Sequence, residues 1–333
     1  MNLDLFSMGA LTQALNLFPI QYGRVNSMGL FRDDFISTRQ FVIDEQTGTL
    51  SLLPVTAWGG PATIASKLSR KARIIAVPPT AHEDHMDPND LQDVRSFGSE
   101  TAADMPAMKM AQKLARMRAR HDITAEFRKI SALKGIVLDA DGSTTLLNLY
   151  TEFSITQVTV DFELGTALTE VRDKCMIVLR NIEDNLLGDV FSGVTALVSQ
   201  EFFDKLVKHP TVKDAYDGYQ EASQRLGGDM RKGFTFAGIT FEEYRGKATN
   251  PAGATVRFIA AGDGHAFPMG TQQTFINTYA PADFMETVNT VALPYYAKTD
   301  MVKFERGLDI HTQSNNLPIC NRPRVLVRLF SSN

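Results

Sequence analysis

Apolar and polar positions along the chain change period several times, and the longest regular stretch is helical. Asp104 suits an N-cap, Pro106 falls where a missing N–H costs nothing, and Gly135 suits a stop. The pattern predicts one helix from Met105 to Lys134, about 45 Å long, with Met110, Leu114 and Met117 on an inward face. The weak helix formers His121-Asp122-Ile123-Thr124 predict a kink within it. Thr166 to Leu187 repeats the helical period through Leu168, Val171, Cys175, Ile182 and Leu186, which puts Cys175 on a buried face. Gln200 to Lys208 predicts a shorter helix, stopped by Pro210.

The extended stretches are short. Phe41-Val42-Ile43 and Leu50-Ser51-Leu52-Leu53 flank Asp44 to Thr49, where Gly48 suits a turn, and Arg73 to Val77 follows. Ile136-Val137-Leu138 and Leu146-Leu147 flank the hairpin signal Asp141-Gly142. Val194 to Val198, Phe234 to Tyr244 folded about Gly238, Val256 to Ala261, His265 to Met269 and Arg324 to Leu329 complete the set. Helices and strands do not alternate regularly, so the class is α+β. Residues 1 to 38 scatter Leu11, Leu15, Phe18, Leu30 and Phe31 without a lasting period and are expected to lie over another part of the molecule. The excursion from Phe41 to Val77 has too few large apolar residues for a core of its own. It packs on the rest of the chain or reaches a neighbour.

With 333 residues, 44% apolar and 22% charged, the chain has ample material for a core and is not disordered. Two cysteines make no disulfide framework. No apolar run reaches the roughly 18 residues of a membrane span, and Asp4 stands where a signal peptide would carry a base. A cytoplasmic, unprocessed chain is expected. Catalytic motifs are absent: there is no phosphate loop and no nucleophile elbow. Gly262-Asp263-Gly264 begins a dinucleotide pattern that Phe267 spoils, and a strand turn is expected there. His82-Glu83-Asp84-His85 has a spacing of three where a zincin helix needs four, and Pro78, Pro79 and Pro88 flank it. An acidic loop is expected. His265 and His311 stand apart from any partner at ligand spacing. Asp139-Ala140-Asp141-Gly142 starts like a calcium loop but has Tyr150 at the twelfth position. Neither an enzyme nor a cofactor is expected.

Charge is unevenly placed. From Met105 to Lys134 there are eight bases and two acids, giving +6 within a chain of −4, so the remainder carries −10. Lys109, Lys113, Arg116 and Arg120 fall on one stripe of the helix and repel one another unless something anionic faces them. A second basic run, Lys67, Arg70, Lys71 and Arg73, precedes the acids Glu83, Asp84, Asp87, Asp90 and Asp93. Between the strands of the excursion lies Trp58-Gly59-Gly60, a large ring beside flexible glycines.

Several stretches, in their order and spacing, resemble the lambda-like major capsid protein family of tailed bacteriophages. They are Gly48-Thr49-Leu50 with Pro54, Arg95-Ser96-Phe97-Gly98, and Leu133 to Gly142. Tyr150-Thr151-Glu152-Phe153, Ala280 to Thr290 and Pro318 to Leu326 follow. The resemblance covers nearly the whole chain. It implies the Hong Kong 97 capsid fold, with residues 1–38 as an N-terminal arm, 39–86 as the E-loop and 87–165 as a peripheral domain whose spine helix is 105–134. Residues 166–292 would form the axial domain, and 293–333 would return to the peripheral sheet. It further implies pentamers and hexamers closing into an icosahedral shell around double-stranded DNA, assembled in the host bacterial cytoplasm. Implied partners are further copies, a scaffold and maturation protease, a portal and a decoration protein. Trp58, Gly59, Gly60, Lys67, Arg70, Lys71 and Arg73 would then act between subunits, and Lys109, Lys113, Arg116 and Arg120 would face DNA. Lys67 and Lys71 align with no partner Asn, so no covalent cross-link is expected. The alternative is a cellular nanocompartment shell with the same fold.

Overall fold

The computed structural model describes residues 8–17, 23–47, 69–90, 105–213, 231 and 233–333. Its first element is one that the scattered apolar anchors of the arm do not announce. Helix α1 (Met8–Leu17) buries Leu11, Thr12 and Leu15 on one face. A short α2 (Arg24–Met28) and strand β1 (Arg32–Phe35) follow. Strand β2 (Gln40–Thr47) runs on through residues expected to turn, because its partner is β3 (Ser69–Ala76), in antiparallel register from Gln40↔Ala76 to Thr47↔Ser69. The Gly48 turn and Leu50–Leu53 lie outside the described residues. The segment expected as an acidic loop is a strand, β4 (Ala81–Met86).

The long helix α3 runs from Met105 to Leu133, continuous through His121–Thr124 where a kink was expected. It ends as Gly135 turns left-handed at φ 79°, with the Tyr150 ring filling the place of a Cβ. Strands β5 (Ile136–Leu138) and β6 (Thr145–Asn148) form the expected hairpin. In its turn the Asp141 carboxylate accepts bonds from both the N–H and the hydroxyl of Ser143 and Thr144, which holds it well below the usual carboxylate range. Helix α4 (Leu149–Glu152), capped by Asn148, leads to β7 (Val158–Asp161). Helix α5 (Val171–Asn185) begins later than its period suggested, and Leu168 is 91% exposed instead of buried. Strand β8 (Gly193–Val198) and helix α6 (Gln200–Lys208) fall where the sequence put them.

Strands β9 (Phe234–Phe236) and β10 (Ile239–Glu243) turn about Gly238 at φ 85°. The small hairpin β11 (Lys247–Thr249) and β12 (Thr255–Arg257) precedes β13 (Asp263–Met269) and β14 (Phe275–Ala280). The last four strands are β15 (Tyr296–Met301), β16 (Leu308–Gln313), β17 (Asn315–Cys320) and β18 (Val327–Phe330). The final strand starts at Val327, not Arg324, because Pro323–Val325 form a 3-10 turn.

A six-stranded mixed sheet has the order β7-β18-β13-β8-β10-β9. Helices α5 and α6 pack against it through Val171, Cys175, Val178 and Ile182, and through Phe202 and Leu206. The spine helix α3 packs instead on β17 of the sheet β1-β14-β17, and on β4 of the sheet β15-β16-β4. The segment from residue 293 onward is therefore divided: β16 and β17 lie with the spine helix, whereas β18 enters the six-stranded sheet. The ribbon β2–β3 joins no other sheet among the described strands. Burial lifts the thiols of Cys175 and Cys320 to about 12, so both are inert packing residues.

The buried face of α3 changes character along its length. Its first turns place Met110, Leu114 and Met117 in a small apolar cluster with Leu11, Leu15, Met86 and Ile310. Its last turns place Phe127, Ile130 and Leu133 in the large core shared with the six-stranded sheet. From Arg118 to Arg128 the buried ionisable side chains are Arg118, His121, Asp122, Glu126 and Arg128.

Candidate functional site

The candidate residues are charged and apolar groups, so the question is which of them are satisfied within the chain and which face outward. The spine helix comes first. Lys113 is turned onto β4 and the short 3-10 turn after it. Its Nζ donates to His85 O at 2.5 Å and lies 3.2 Å from Asp90 and 3.5 Å from Asp84. Bonding to Lys113 and the charge of Lys109 hold the Asp90 carboxyl below its ordinary value. Arg120 donates to His82 Nε2 at 2.6 Å, and burial together with that guanidinium depresses His82, keeping it neutral. Arg116 is exposed. The stripe read from the sequence is thus partly covered by the strand that returns from the excursion, leaving Lys109 and Arg116 as its outward part.

The other bases of α3 are spent within the chain. Arg118 bonds Asp122 at 3.0 Å, donates to Leu15 O, and stacks 3.7 Å from the Tyr295 ring centre. Arg128 donates to both Asn316 oxygens, at 3.2 and 3.1 Å. Lys129 Nζ reaches Asn26 at 2.7 Å. Lys134 is lowered to about 8 by burial. Sequence reasoning missed this arrangement, because the partners lie up to 188 residues away. It also missed Glu126, whose buried carboxylate accepts from Val25 N–H at 2.8 Å and Asn26 N–H at 3.0 Å. That carboxylate stands at the start of α2 and serves as its cap. Arg24, one residue earlier, pairs with Glu242 of β10 at 2.6 and 3.0 Å.

The acids of the second run are likewise engaged. Glu83 meets His311 at 2.9 Å, and Asp87 and Asp309 flank His85 at 2.8 and 2.5 Å. The bond to Asp309 in particular raises His85. His82 and His85 are three apart on a strand, so they point to opposite faces. Among the described residues no group of three or more His, Cys, Asp or Glu is placed to hold a metal ion, and no helix is long and apolar enough to cross a membrane.

The excursion itself is seen as the β2–β3 ribbon. Its inner face presents Phe41, Ile43 and Ile75 to the core. Its outer face presents Val42 and Ile74, directly opposite each other and 56% and 69% exposed. Arg73 is tied to its own subunit, with Nε donating to Glu152 O at 2.6 Å and the guanidinium 4.6 Å above Phe153. Arg70 and Lys71 pair through the backbone with Gln46 and Glu45. Trp58, Gly59, Gly60, Lys67 and Asp93 lie outside the described residues.

Comparison with known proteins fits this architecture. The chain is 30% identical to the major capsid protein of Pseudomonas phage KPP10, over 96% of this chain and 95% of that one. It is 30% identical to the major capsid protein of Salmonella phage Felix O1, over 97% and 95%. The capsid asymmetric unit of cyanophage Pam1 superposes with a TM-score of 0.55 at 12% identity, covering 96% of this chain and 95% of that one. The fold is that of the Hong Kong 97-like phage capsids. Over residues 7–331, the chain belongs to the phage major capsid protein E family.

Proposed function

We propose that many copies of this chain form pentamers and hexamers that close into an icosahedral shell around double-stranded DNA, in the cytoplasm of the host bacterium. The observation that carries this reading is the match, along nearly the whole chain, to two phage major capsid proteins. Its partners would be a scaffold and maturation protease, a portal and a decoration protein, and it performs no catalytic step. The exposed pair Val42 and Ile74 supports a ribbon that reaches a neighbour, since an unpaired apolar face on an isolated two-stranded ribbon is unfavourable in a monomer. With Glu83, Asp84, Asp87 and Asp90 already facing bases of their own chain, this contact rests on apolar burial and Trp58 more than on charge. Lys109 and Arg116 are the spine residues left to face DNA phosphate.

Electron microscopy of the purified protein tests the reading. DNA-filled heads from infected cells, and shells from the protein alone, are expected. Shells loaded with a protein cargo would indicate a nanocompartment instead, and a monomer with metal-dependent turnover would defeat both. For the genome contact, Lys109→Gln with Arg116→Gln spares the Lys113 network. Shells should form normally while filled heads decline. Equal yields of DNA-retaining heads would remove the genome role.

A further inference from the structure

The last residues of β4 meet the β15–β16 hairpin and the first turns of α3 at a single side chain, His85. Its ring stands between two carboxylates: Nδ1 is 2.5 Å from Asp309 Oδ1 and Nε2 is 2.8 Å from Asp87 Oδ1. A carboxylate only accepts, so both contacts are hydrogen bonds only when both ring nitrogens carry protons. A neutral ring satisfies one carboxylate and turns a bare lone pair on the other. This geometry is that of the imidazolium.

The surrounding charges leave His85 no substitute. Asp309 lies directly opposite it in the β4–β16 ladder, and Asp300 lies directly opposite Asp309 on β15. From α3, Lys113 is taken up by Asp84 and Asp90 and bonds the His85 carbonyl, while Lys109 acts on Asp90. On β16 His311 is held by Glu83. At the hairpin tip Lys303 and Arg306 gather at the Phe304 ring, 5.3 and 5.8 Å from its centre, with exposed Glu305 between them. The tip reaches His85 through Gly307, where an added Cβ would stand 2.5 Å from the ring. Among the described residues, His85 is therefore the one cation within ion-pair reach of Asp87 and Asp309.

We propose that His85 is a proton-operated clasp: doubly protonated, it holds the end of β4 to the β15–β16 tip and the head of the spine helix, and it lets them part when it loses a proton. Bonding to Asp309, then to Asp87, raises its folded value above the ordinary 6.5. The clasp is thus complete below about 6.5 and is lost as pH rises through the folded value. Beyond that point Asp309 faces Asp300 with no cation between them, and like charges directly opposite on a sheet repel. His82, on the other face of β4, accepts from Arg120 and is already neutral, so it changes nothing in this range. The clasp lies within one chain and does not depend on the capsid reading.

Hydrogen–deuterium exchange read by mass spectrometry, on free chain or shells, tests it twice. Exchange at the His85 ring carbon reports its titration, and a midpoint above 6.5 is expected. Backbone amides of residues 83–86 and 300–308, corrected for the intrinsic effect of pH, should exchange about two- to fivefold faster above that midpoint than below it. Asp309→Asn should move the midpoint back toward 6.5 and shrink the step, and added salt should shrink it too. His85→Gln should abolish the step, and His82→Gln should keep it. A midpoint at or below 6.5 overturns the proposal. So does a step that survives His85→Gln, or a raised midpoint with no step, since the proton would then move nothing.

Discussion

Beneath α5 and α6, the six-stranded sheet buries Val194, Ala196, Phe241, Phe267 and Leu329. Beneath the middle of α3, equally buried, are Arg118, His121, Asp122, Glu126 and Arg128, set against Asn277, Thr312, Gln313, Asn315 and Asn316. The first region is held by contact area, which is non-directional and tolerates swaps of similar volume. The second is held by bonds that form in one register only. Arg128 fits the two oxygens of Asn316, and His121 Nε2 meets the Thr312 hydroxyl at 3.0 Å. Burying such groups contributes little net stability and costs much when half undone. The comparison suggests that the sheet supplies stability while the layer under the spine helix sets how that helix sits on its strands.

The largest effect should come from the sheet. Phe267→Ala removes a wholly buried ring packed 6.3 Å from Phe275, and should lower the unfolding free energy of the subunit by about 3–5 kcal/mol in denaturant titration. Phe267→Leu should cost far less; equal losses would mean that shape, not area, governs this core.

Next comes Asp122→Ala, which strands the buried Arg118 guanidinium and the Tyr295 hydroxyl, itself bonded to Asp122 at 2.7 Å. A loss of about 3 kcal/mol is expected. The double change Arg118→Met with Asp122→Leu should recover most of it. A double variant as unstable as the single one would show that the polar layer carries net stability after all, erasing the contrast.

Acid probes both regions with one histidine each. Burial drives His121 and His265 to about 3. Their folded pKa lies below the unfolded 6.5, so the stability due to each is complete above about 6.5 and is lost as pH falls toward 3. Replacing either by Gln should flatten the dependence of stability on pH between 6 and 4 by up to about 1.4 kcal/mol per pH unit. An unchanged slope would mean that the site admits water or a proton at little cost. The smallest effect belongs to the surface. Arg257→Ala, which removes an exposed pair with Glu201 at 2.7 Å, should change stability by less than about 1 kcal/mol and vanish in high salt.

What could be read from sequence was what local signals encode. The spine helix was legible nearly end to end because Gly135 marks its stop, and the Asp141-Gly142 hairpin and α6 were legible for the same reason. The strand at His82–His85 was not, since its partner β16 begins at Leu308 and flanking prolines suggested a loop. The same non-local pairing hid the fate of Lys113: its helical face could be counted from the sequence, but not the carboxylates that come to lie on it. Helix α1 carries Leu11 and Leu15 at helical spacing, yet so short a run shows its purpose only once Thr12 and Asn16 bond the backbone of Ala297 and Tyr295.

The place of β18 has a consequence for timing. It lies inside the six-stranded sheet, parallel to β7 and antiparallel to β13, and bridges the two. A ribosome that has just released β7 must still translate on the order of 170 residues before the strand beside it exists, roughly 8–34 seconds at 5–20 residues per second. Until then β7 has no neighbour in the sheet, and the domain cannot complete its core. A chain still on its ribosome therefore lacks a finished six-stranded sheet, so only completed chains carry the surface needed to polymerise.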